Sequence, residues 1–401
     1  MDDDSIKISR NSTPSPARSQ RKFTTNVLKN SATTSPSNSD FDILEFYNRV
    51  LAEDENLAVP IAAVQSLTES VSRSNATTMQ ELIAGLYESI DILKRGTINL
   101  ISLSAGCDLF LRFLMMQQSP SNSIEFIDHK QTLVLRAKKF VIESRLKCVE
   151  KVANLASDFI EDNSTIMIHG YSRVVLQSIL KANSKTQKPK KRFKVFVTES
   201  RPSGLGLKTH AILERNGIPC VVLLDSAVAY AMAKVDLVLV GAEAVLEDGG
   251  LINYIGSYQM AIAAKAHHKP FYALTESYKF LRLFPLSQYD LPTNNLTLQF
   301  PNPPKPSIDT LEKRNKNLEI SDNFDEIDLP GSIAQRRGAA NSLLKRLNSD
   351  KRVLITPEQI EKNNPTLDYT TPDLISLVIS DSGILTPPGV AEVLLSIFGA
   401  E

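Results

Sequence analysis

The chain has no tryptophan, only three cysteines among 401 residues, and no excess of either charge, with 45 basic and 45 acidic side chains. Its cysteines, Cys107, Cys148 and Cys220, lie far apart and match no zinc or redox spacing, which fits a reducing compartment. Balanced charge excludes a global basic field that would attract nucleic acid. No apolar run approaches the roughly 20 residues of a membrane span, and the acidic start lacks the features of a targeting peptide. These absences predict a cytosolic protein.

Composition divides the chain into stretches of different character. Residues 1–40 are rich in Ser, Thr, Asn and Pro and hold few large apolar groups, which predicts a disordered tail. Helical periodicity dominates 41–160, which predicts a helical domain, and strand-like runs fill 161–300 and 366–401. The stretch 301–365 has a Pro-rich start and few apolar residues apart from a possible short helix near 339–347. We interpret it as a disordered insertion.

The helical region contains clear helix starts. Pro60 suits the first residue of a helix because its missing N–H needs no partner there. Thr78 and Glu81 form a T-x-x-E pattern, a capping box in which each side chain accepts a backbone N–H of the other residue. Apolar residues then recur on one face, at Leu82, Leu86, Ile90 and Leu93. Further helical patterns cover 107–116 and a basic, amphipathic stretch from about 133 to 159.

Short apolar runs replace the helical period after Asn163, at 165–168, 194–197, 220–224, 237–240, 271–274 and 377–379. Helix-compatible segments separate most of them, and such alternation implies right-handed βαβ units. The predicted fold class is α/β, with an N-terminal all-helical domain followed by a Rossmann-like doubly wound parallel-sheet domain. Within 237–280, two of the predicted strands are expected to flank a Gly-interrupted helix.

Polar side chains follow four of the predicted strands, at 169–173, 198–202, 225–227 and 241–243, with Asn253 close behind. The carboxyl ends of parallel strands meet at one edge, where open α/β sheets bind ligands. Arg173 and Arg201 offer bidentate forks suited to phosphate, and helix starts after Tyr171 and Gly204 offer free N–H groups. The pattern suits a pocket for a small phosphorylated polyol, whose hydroxyls Glu199, Asp225 and Glu243 would bind.

Structural interpretations of the same residues stay open. Salt bridges to Glu199 or Glu243 explain Arg173 and Arg201 as well as phosphate binding does. The glycines of 204–206 are too few for a nucleotide loop, so no cofactor is predicted. His169 is expected to be an oriented strand-end histidine, since no second histidine has the spacing of a metal site.

Four segments carry a resemblance to a known family: HGYSRVVL at 169–176, VTESRPSGLG at 197–206, VGAEAVLEDGGLINYIGSYQMA at 240–261 and KPFYALTESYKFLRLFPLSQYDLP at 269–292. They resemble the alpha subunits of eukaryotic translation initiation factor two B. That family is similar to the beta and delta subunits of the same factor and to the methylthioribose-phosphate and ribose-bisphosphate isomerases. The resemblance runs from about 41 to 300 and resumes over 368–387; it does not extend to the tail or the insertion.

The resemblance implies a regulatory, non-catalytic subunit of the guanine-nucleotide exchange factor for initiation factor two. Its implied partners are a second copy of itself, with which it would bridge two halves of a decamer, the beta, gamma, delta and epsilon subunits, and initiation factor two phosphorylated on its alpha subunit. Thr78 and Glu81 fall in the part of the helical domain that carries the last contact in the family. No direct nucleic-acid or membrane partner is implied.

The isomerase relatives place a cysteine after the strand-end histidine and an aspartate in a GAD motif, where this chain has Gly170 and Glu243. Gly170 has no side chain to act as acid, base or nucleophile, and Glu243 is one methylene too long for a role set by geometry. The resemblance therefore implies a sugar-phosphate pocket without turnover, formed by Tyr171, Ser172, Arg173, Glu199, Arg201, Glu243 and Asn253. An active aldose-ketose isomerase is the alternative.

Overall fold

The computed structural model describes residues 41–54, 56–116, 123–184, 191–292, 356, 359 and 362–398. The predicted tail and nearly all of the predicted insertion, including the helix near 339–347, lie outside the described residues. Their disorder stays a prediction. Within the described ranges, every helix is too short or too polar to cross a membrane.

The first part of the described chain is helical and is called the helical part. It comprises α1 (Ile43–Glu53), α2 (Val59–Arg73), α3 (Met79–Gly96), α4 (Leu100–Met115), α5 (Ser123–Glu143) and α6 (Val149–Ser157). A π-helical turn, Ser144–Cys148, joins α5 to α6, so the predicted basic stretch consists of two helices. Buried apolar side chains of α1 to α5 form the core of this part, and Tyr278 from the second part of the chain packs into it.

The start of α3 agrees with the sequence pattern in part. Thr78 is the N-cap, and its Oγ1 accepts the N–H of Glu81 at 3.2 Å, as predicted. The Glu81 carboxylate accepts the N–H of Thr77 at 2.9 Å, one residue before the expected partner. Pro60 is the second residue of α2, one position later than predicted.

The second part, called the α/β part, alternates strands with helices. Its strands are β1 (Thr165–His169), β2 (Lys194–Thr198), β3 (Cys220–Leu223), β4 (Leu237–Val240), β5 (Ala244–Leu246), β6 (Leu251–Tyr254), β7 (Phe271–Thr275), β8 (Phe280–Leu281), β9 (Leu367–Thr370), β10 (Leu377–Ser380) and β11 (Gly383–Leu385). Its helices are α7 (Arg173–Ala182), α8 (Gly206–Arg215), α9 (Val228–Met232), α10 (Ser257–Ala266) and α11 (Val390–Phe398). All the runs predicted as strands are strands.

The main sheet has the order β11-β10-β7-β4-β1-β2-β3. All neighbours are parallel except β10 and β11. Separate apolar clusters cover the two faces of the sheet, which explains why β4, Leu-Val-Leu-Val, is buried throughout. β2 and β3 are added on one side of β1, and β4, β7 and β10 are then added on its other side. The strand order therefore reverses between β1 and β4. The predicted fold class, helical and then Rossmann-like, is confirmed.

A second, four-stranded sheet of order β8-β5-β6-β9 was not expected from the sequence. The segment between β4 and β7 was predicted as a Gly-interrupted helix, and this is wrong for its first half, which forms the antiparallel pair β5 and β6. Gly249 in the turn has φ +83°, a conformation that ends a helix and suits a tight hairpin turn. Only the second half is helical, as α10.

We expect Thr78→Ala to lower the free energy of unfolding by about 1 kcal/mol, because the Glu81 N–H loses its capping acceptor. Urea titration followed by circular dichroism measures the change. Thr78→Ser keeps the hydroxyl and serves as the control, with a stability close to that of the wild type. Equal stability of the alanine variant and the wild type would show that the cap does not stabilise α3.

Candidate functional site

A cavity of about 310 Å³ lies at the carboxyl ends of β1 and β4, where the order of the main sheet reverses. This is the position at which open α/β sheets bind ligands. Both parts of the chain contribute to its walls. The helical part supplies Leu51, Leu57, Ala58, Val59, Pro60 and Asn99, and the α/β part supplies Tyr171, Ser172, Arg173, Val174, Leu205, Lys208, Gly241, Ala242, Glu243, Asn253, Tyr254, Glu276 and Lys279.

Most of the predicted ligand-binding residues line this cavity, namely Tyr171, Ser172, Arg173, Glu243 and Asn253. Glu199 and Arg201 do not. The Nε of Arg201 lies 3.0 Å from Oε2 of Glu199, and its guanidinium points toward solvent with a side-chain exposure of 66%. The salt bridge that the sequence left open therefore accounts for Arg201, and the structure does not bring it to the cavity.

Arg173 is held by a buried ion-pair network rather than by Glu199 or Glu243. Its Nη2 lies 3.1 Å from Oε1 of Glu276, and its Nη1 donates to the backbone carbonyl of Asn56 in the helical part. Lys279 places Nζ 3.0 Å from the other oxygen of Glu276, and the Tyr278 hydroxyl donates to Oε1 at 2.9 Å. The positive charge of Arg173 is thus already compensated by Glu276 on the Nη2 side of the guanidinium.

Glu276 is completely shielded from solvent, and it keeps its charge because of these neighbours. Burial alone would raise the pKa of its carboxyl group, but the charges of Lys279 and Arg173, with hydrogen bonds from Lys279 and Tyr278, lower the pKa to about 2. The Glu276 carboxylate therefore stays charged at physiological pH.

Glu243, between β4 and β5, ties the two parts of the chain together. Its Oε2 accepts a hydrogen bond from Nδ2 of Asn99 at 2.8 Å and another from the Ser102 hydroxyl. Asn99 also caps α4 by accepting the N–H of Ser102 at 3.2 Å. Because the Glu243 carboxylate is held by Asn99 and Ser102, it is poorly placed to act as a general acid or base toward a bound ligand.

Uncapped helix N-termini face the cavity from both parts of the chain. The N-cap residues of α2, α7 and α8 are Ala58, Ser172 and Leu205, and none of them makes a side-chain capping bond. All of them line the cavity. Lys208 lies there too, with Nζ 4.8 Å from the centre of the Tyr171 ring. The first N–H groups of α8 already donate to backbone carbonyls, Gly206 to Glu199 at 3.1 Å and Leu207 to Gly204 at 3.2 Å. The starts of α2 and α7, with the dipoles of all three helices, favour an anion.

His169 and Gly170, at the end of β1, have structural roles. The imidazole Nδ1 lies 2.7 Å from the Thr198 hydroxyl and Nε2 lies 3.0 Å from the Ile255 carbonyl, so Nε2 donates. Burial lowers the pKa of His169, which keeps the ring neutral. Gly170 has φ +55°, and a Cβ added there would lie 2.9 Å from Oγ of Ser200. The position has no room for a nucleophilic side chain.

Sequence reasoning missed the cations and bridging residues of the site, Lys208, Lys279, Asn99 and Ser102. It also gave no role to Glu276, which lies two residues after the predicted strand run 271–274. The first turn of α8 contains the signal for Lys208, which follows Gly206 by two residues. Asn99 and Ser102 had no such signal, because they meet Glu243 only when the two parts of the chain pack together. Among the described residues, no group of His, Cys, Asp or Glu is arranged to hold a metal ion.

A helical part packed on a doubly wound, mostly parallel sheet places the chain in the class of Rossmann-like α/β proteins with an N-terminal helical part. Within that class, the profile of the initiation factor 2 subunit family matches residues 53–387. The chain belongs to this family.

The chain is 36% identical over 363 residues to translation initiation factor eIF2B subunit alpha of Dictyostelium discoideum, covering 90% of this chain and 98% of that protein. Identity to the Caenorhabditis elegans protein of the same name is 31% over 359 residues, covering 89% and 98%. Ribose 1,5-bisphosphate isomerase of Pyrococcus furiosus is 25% identical over 340 residues, covering 84% and 88%. The higher identity to factor subunits agrees with the expectation of a factor subunit rather than an enzyme.

The fold also matches solved structures. A chain of the tetrameric eIF2B-beta2-delta2 complex from C. thermophilum superposes with a TM-score of 0.59 at 17% identity, covering 88% of this chain and 92% of that one. At this identity the likeness supports the fold alone.

We expect Glu276→Gln to lower the free energy of unfolding at pH 7 by about 3–5 kcal/mol, because Arg173 and Lys279 lose their buried counter-charge. Since the pKa of Glu276 is lowered to about 2, its stabilisation is fully present above the unfolded-state pKa of roughly 4.3 and is lost as pH falls toward 2. Denaturant titrations across this pH range should show the two proteins converging at the acid end.

The control is Glu247→Gln, which removes an exposed carboxylate and should leave stability nearly unchanged. A loss in Glu276→Gln no larger than in this control would contradict a stabilising role for the buried network.

Proposed function

We propose that the chain is the alpha-type regulatory subunit of the guanine-nucleotide exchange factor for translation initiation factor two. The observation that carries this proposal is the identity of 36% and 31% to eIF2B alpha subunits over nine-tenths of the chain. In this proposal the subunit acts in the cytosol, pairs with a second copy of itself, and bridges a decamer with the beta, gamma, delta and epsilon subunits. The exchange reaction itself belongs to another subunit.

The proposed regulatory contact is with initiation factor two phosphorylated on its alpha subunit, through the start of α3. Thr78 and Glu81 are both exposed there. Their side chains hold the backbone of the first turn by accepting the N–H groups of Glu81 and Thr77. A rigid, exposed helix start presents a defined surface to a partner, so capping and partner binding are compatible roles for the same residues.

The cavity is proposed to bind a sugar phosphate without converting it. Three cations and two carboxylates line it, which leaves one positive charge in addition to the uncapped helix starts. Glu243 is committed to Asn99 and Ser102, and Gly170 carries no side chain. An acid, base or nucleophile is therefore missing where the isomerase alternative needs one. The 25% identity to ribose 1,5-bisphosphate isomerase is the reason to test the isomerase alternative.

Deleting the protein from cells should leave basal exchange largely intact and abolish its inhibition by phosphorylated initiation factor two. Exchange is measured as release of labelled GDP in lysates with and without the phosphorylated factor. Glu81→Lys should reproduce the loss of inhibition, because it reverses the charge of the proposed contact, whereas Glu88→Lys, further along α3 and also exposed, is the control. Unchanged inhibition in the deletion strain would rule out the regulatory role.

Calorimetry with hexose and pentose phosphates should show binding that Lys208→Ala weakens about tenfold, since one charge-assisted contact is lost. Arg201→Ala should bind normally, because that side chain points away from the cavity toward solvent. Assays with ribose-1,5-bisphosphate and methylthioribose-1-phosphate should show no turnover. Absence of heat with every sugar phosphate would refute the pocket, and turnover would favour the isomerase alternative.

A further inference from the structure

The outward side of α5 exposes large apolar side chains. Ile127, Leu135 and Ile142 are 56%, 68% and 59% exposed. At about 3.6 residues per turn, they fall within about 80° of one another around the helix and form one stripe, called the outer stripe. The opposite side of α5 packs into the core of the helical part. Single exposed apolar residues are ordinary, but three on one helix face indicate a surface that another segment covers.

Basic side chains lie among these apolar ones, in the basic, amphipathic stretch that the sequence indicated. Lys138 lies within the outer stripe and Lys139 beside it, and both are exposed. Glu143, further along α5, pairs with Lys147 at 3.0 Å. Among the described residues, no carboxylate lies within salt-bridge distance of Lys138 or Lys139. The outer stripe therefore suits a segment that is both acidic and apolar.

The chain itself contains a segment with this composition. It is 318–329, LEISDNFDEIDL, in the part of the insertion that lies outside the described residues. Its acidic residues are Glu319, Asp322, Asp325, Glu326 and Asp328. Its large apolar residues are Leu318, Ile320, Phe324, Ile327 and Leu329. No lysine or arginine occurs between Lys316 and Arg336, so the charge of the segment is opposite to that of the outer stripe.

The connections to this segment are long enough to reach α5. Those from Pro292 to Leu318 and from Leu329 to Thr356 are each about 26 residues long and can span up to about 85 Å. A compact domain of this size is expected to be only about 50 Å across. A segment tethered to its own binding surface has an effective concentration of about millimolar, so even weak contacts are occupied. This favours the chain's own segment over a separate acidic partner.

We propose that residues 318–329 dock on the outer stripe of α5. Their apolar side chains pack against Leu135 and Ile142, and their carboxylates lie beside Lys138 and Lys139. The docked segment covers the exposed apolar side chains and competes with any acidic partner for the same face. This contact is independent of the sugar-phosphate cavity and of the proposed regulatory contact at the start of α3.

Zero-length cross-linking of the full chain with a carbodiimide tests the contact. The reagent joins a lysine amine to a carboxylate that touches it, and mass spectrometry locates the new bond. We expect Lys138 or Lys139 to be joined to acidic residues of 319–328. The pair of Lys147 and Glu143, at 3.0 Å, is the internal control for the reaction. A mixture of isotope-labelled and unlabelled chains separates a contact within one chain from a contact between two copies.

Exposed apolar residues provide a matched pair of variants for this measurement. Leu135→Asn combined with Ile142→Asn removes the apolar half of the contact and should lower the cross-link yield about fivefold. Ile92→Asn, at an isoleucine of α3 that is 49% exposed, is the control and should leave the yield unchanged. Because all these side chains are exposed, the variants should unfold at nearly the temperature of the wild type.

Cleavage by chymotrypsin after Phe324 reports docking independently. Lys138→Glu combined with Lys139→Glu should speed this cleavage about fivefold, because attraction becomes repulsion. Asp325→Lys combined with Glu326→Lys should also speed it. The four changes together should restore slow cleavage, since the charges are again opposite, and a merely structural effect of the α5 changes would not be rescued in this way.

Three results would overturn the proposal. The first is the absence of cross-links from Lys138 and Lys139 to 319–328 while Lys147 and Glu143 are joined, which would leave the outer stripe to an acidic partner protein. The second is the finding of such cross-links only between two copies of the chain. The third is equal cleavage after Phe324 in the wild type and all the charge variants.

Discussion

A fully buried carboxylate, Glu276, holds together the segments that surround the first cavity. It accepts from Arg173 at the start of α7 and pairs with Lys279 after β7, while Tyr278 reaches it from a position packed in the helical core. Burial alone would neutralise this group, yet the neighbouring cations lower its pKa to about 2. A charge that survives burial requires all of its partners in place, so the network fixes the geometry of both parts of the chain at one point.

The ion pairs of Glu276 also limit which charged groups of the first cavity can bind a ligand. Nη2 of Arg173 pairs with Glu276, and Nη1 donates to the carbonyl of Asn56. The full guanidinium fork is therefore not available to the proposed sugar phosphate. The starts of α2 and α7, which have no side-chain cap, also line the cavity. Since α2 belongs to the helical part and α7 to the α/β part, an anion bound between them would stabilise one arrangement of the two. The proposed regulatory contact at α3 lies on that same helical part.

The strands of the main sheet were predictable because each is a continuous apolar run covered on both faces, a signal that depends on local sequence alone. The second sheet was not predictable in this way. Its β9 pairs with β6 across more than a hundred residues, placing Leu251 beside Thr370, and β5 has only three residues. The same limit applies to the site. The polar strand ends at Tyr171 to Arg173 were evident, whereas the partner of Arg173 follows β7, over a hundred residues away.

Gly170 and Glu243, the two positions at which the resemblance implies a difference from the isomerases, are constrained by their surroundings. At Gly170 the backbone is left-handed, and a side chain would bring its Cβ within 2.9 Å of Ser200, so a cysteine would require the neighbouring loop to move. At Glu243, the longer side chain reaches Asn99 and Ser102 and joins β4 to the start of α4. An aspartate, one methylene shorter, would fall short of those donors by about 1.5 Å, the length of one carbon–carbon bond. Glu243 thus serves the packing of the helical part on the sheet, and shortening it to aspartate would loosen that joint.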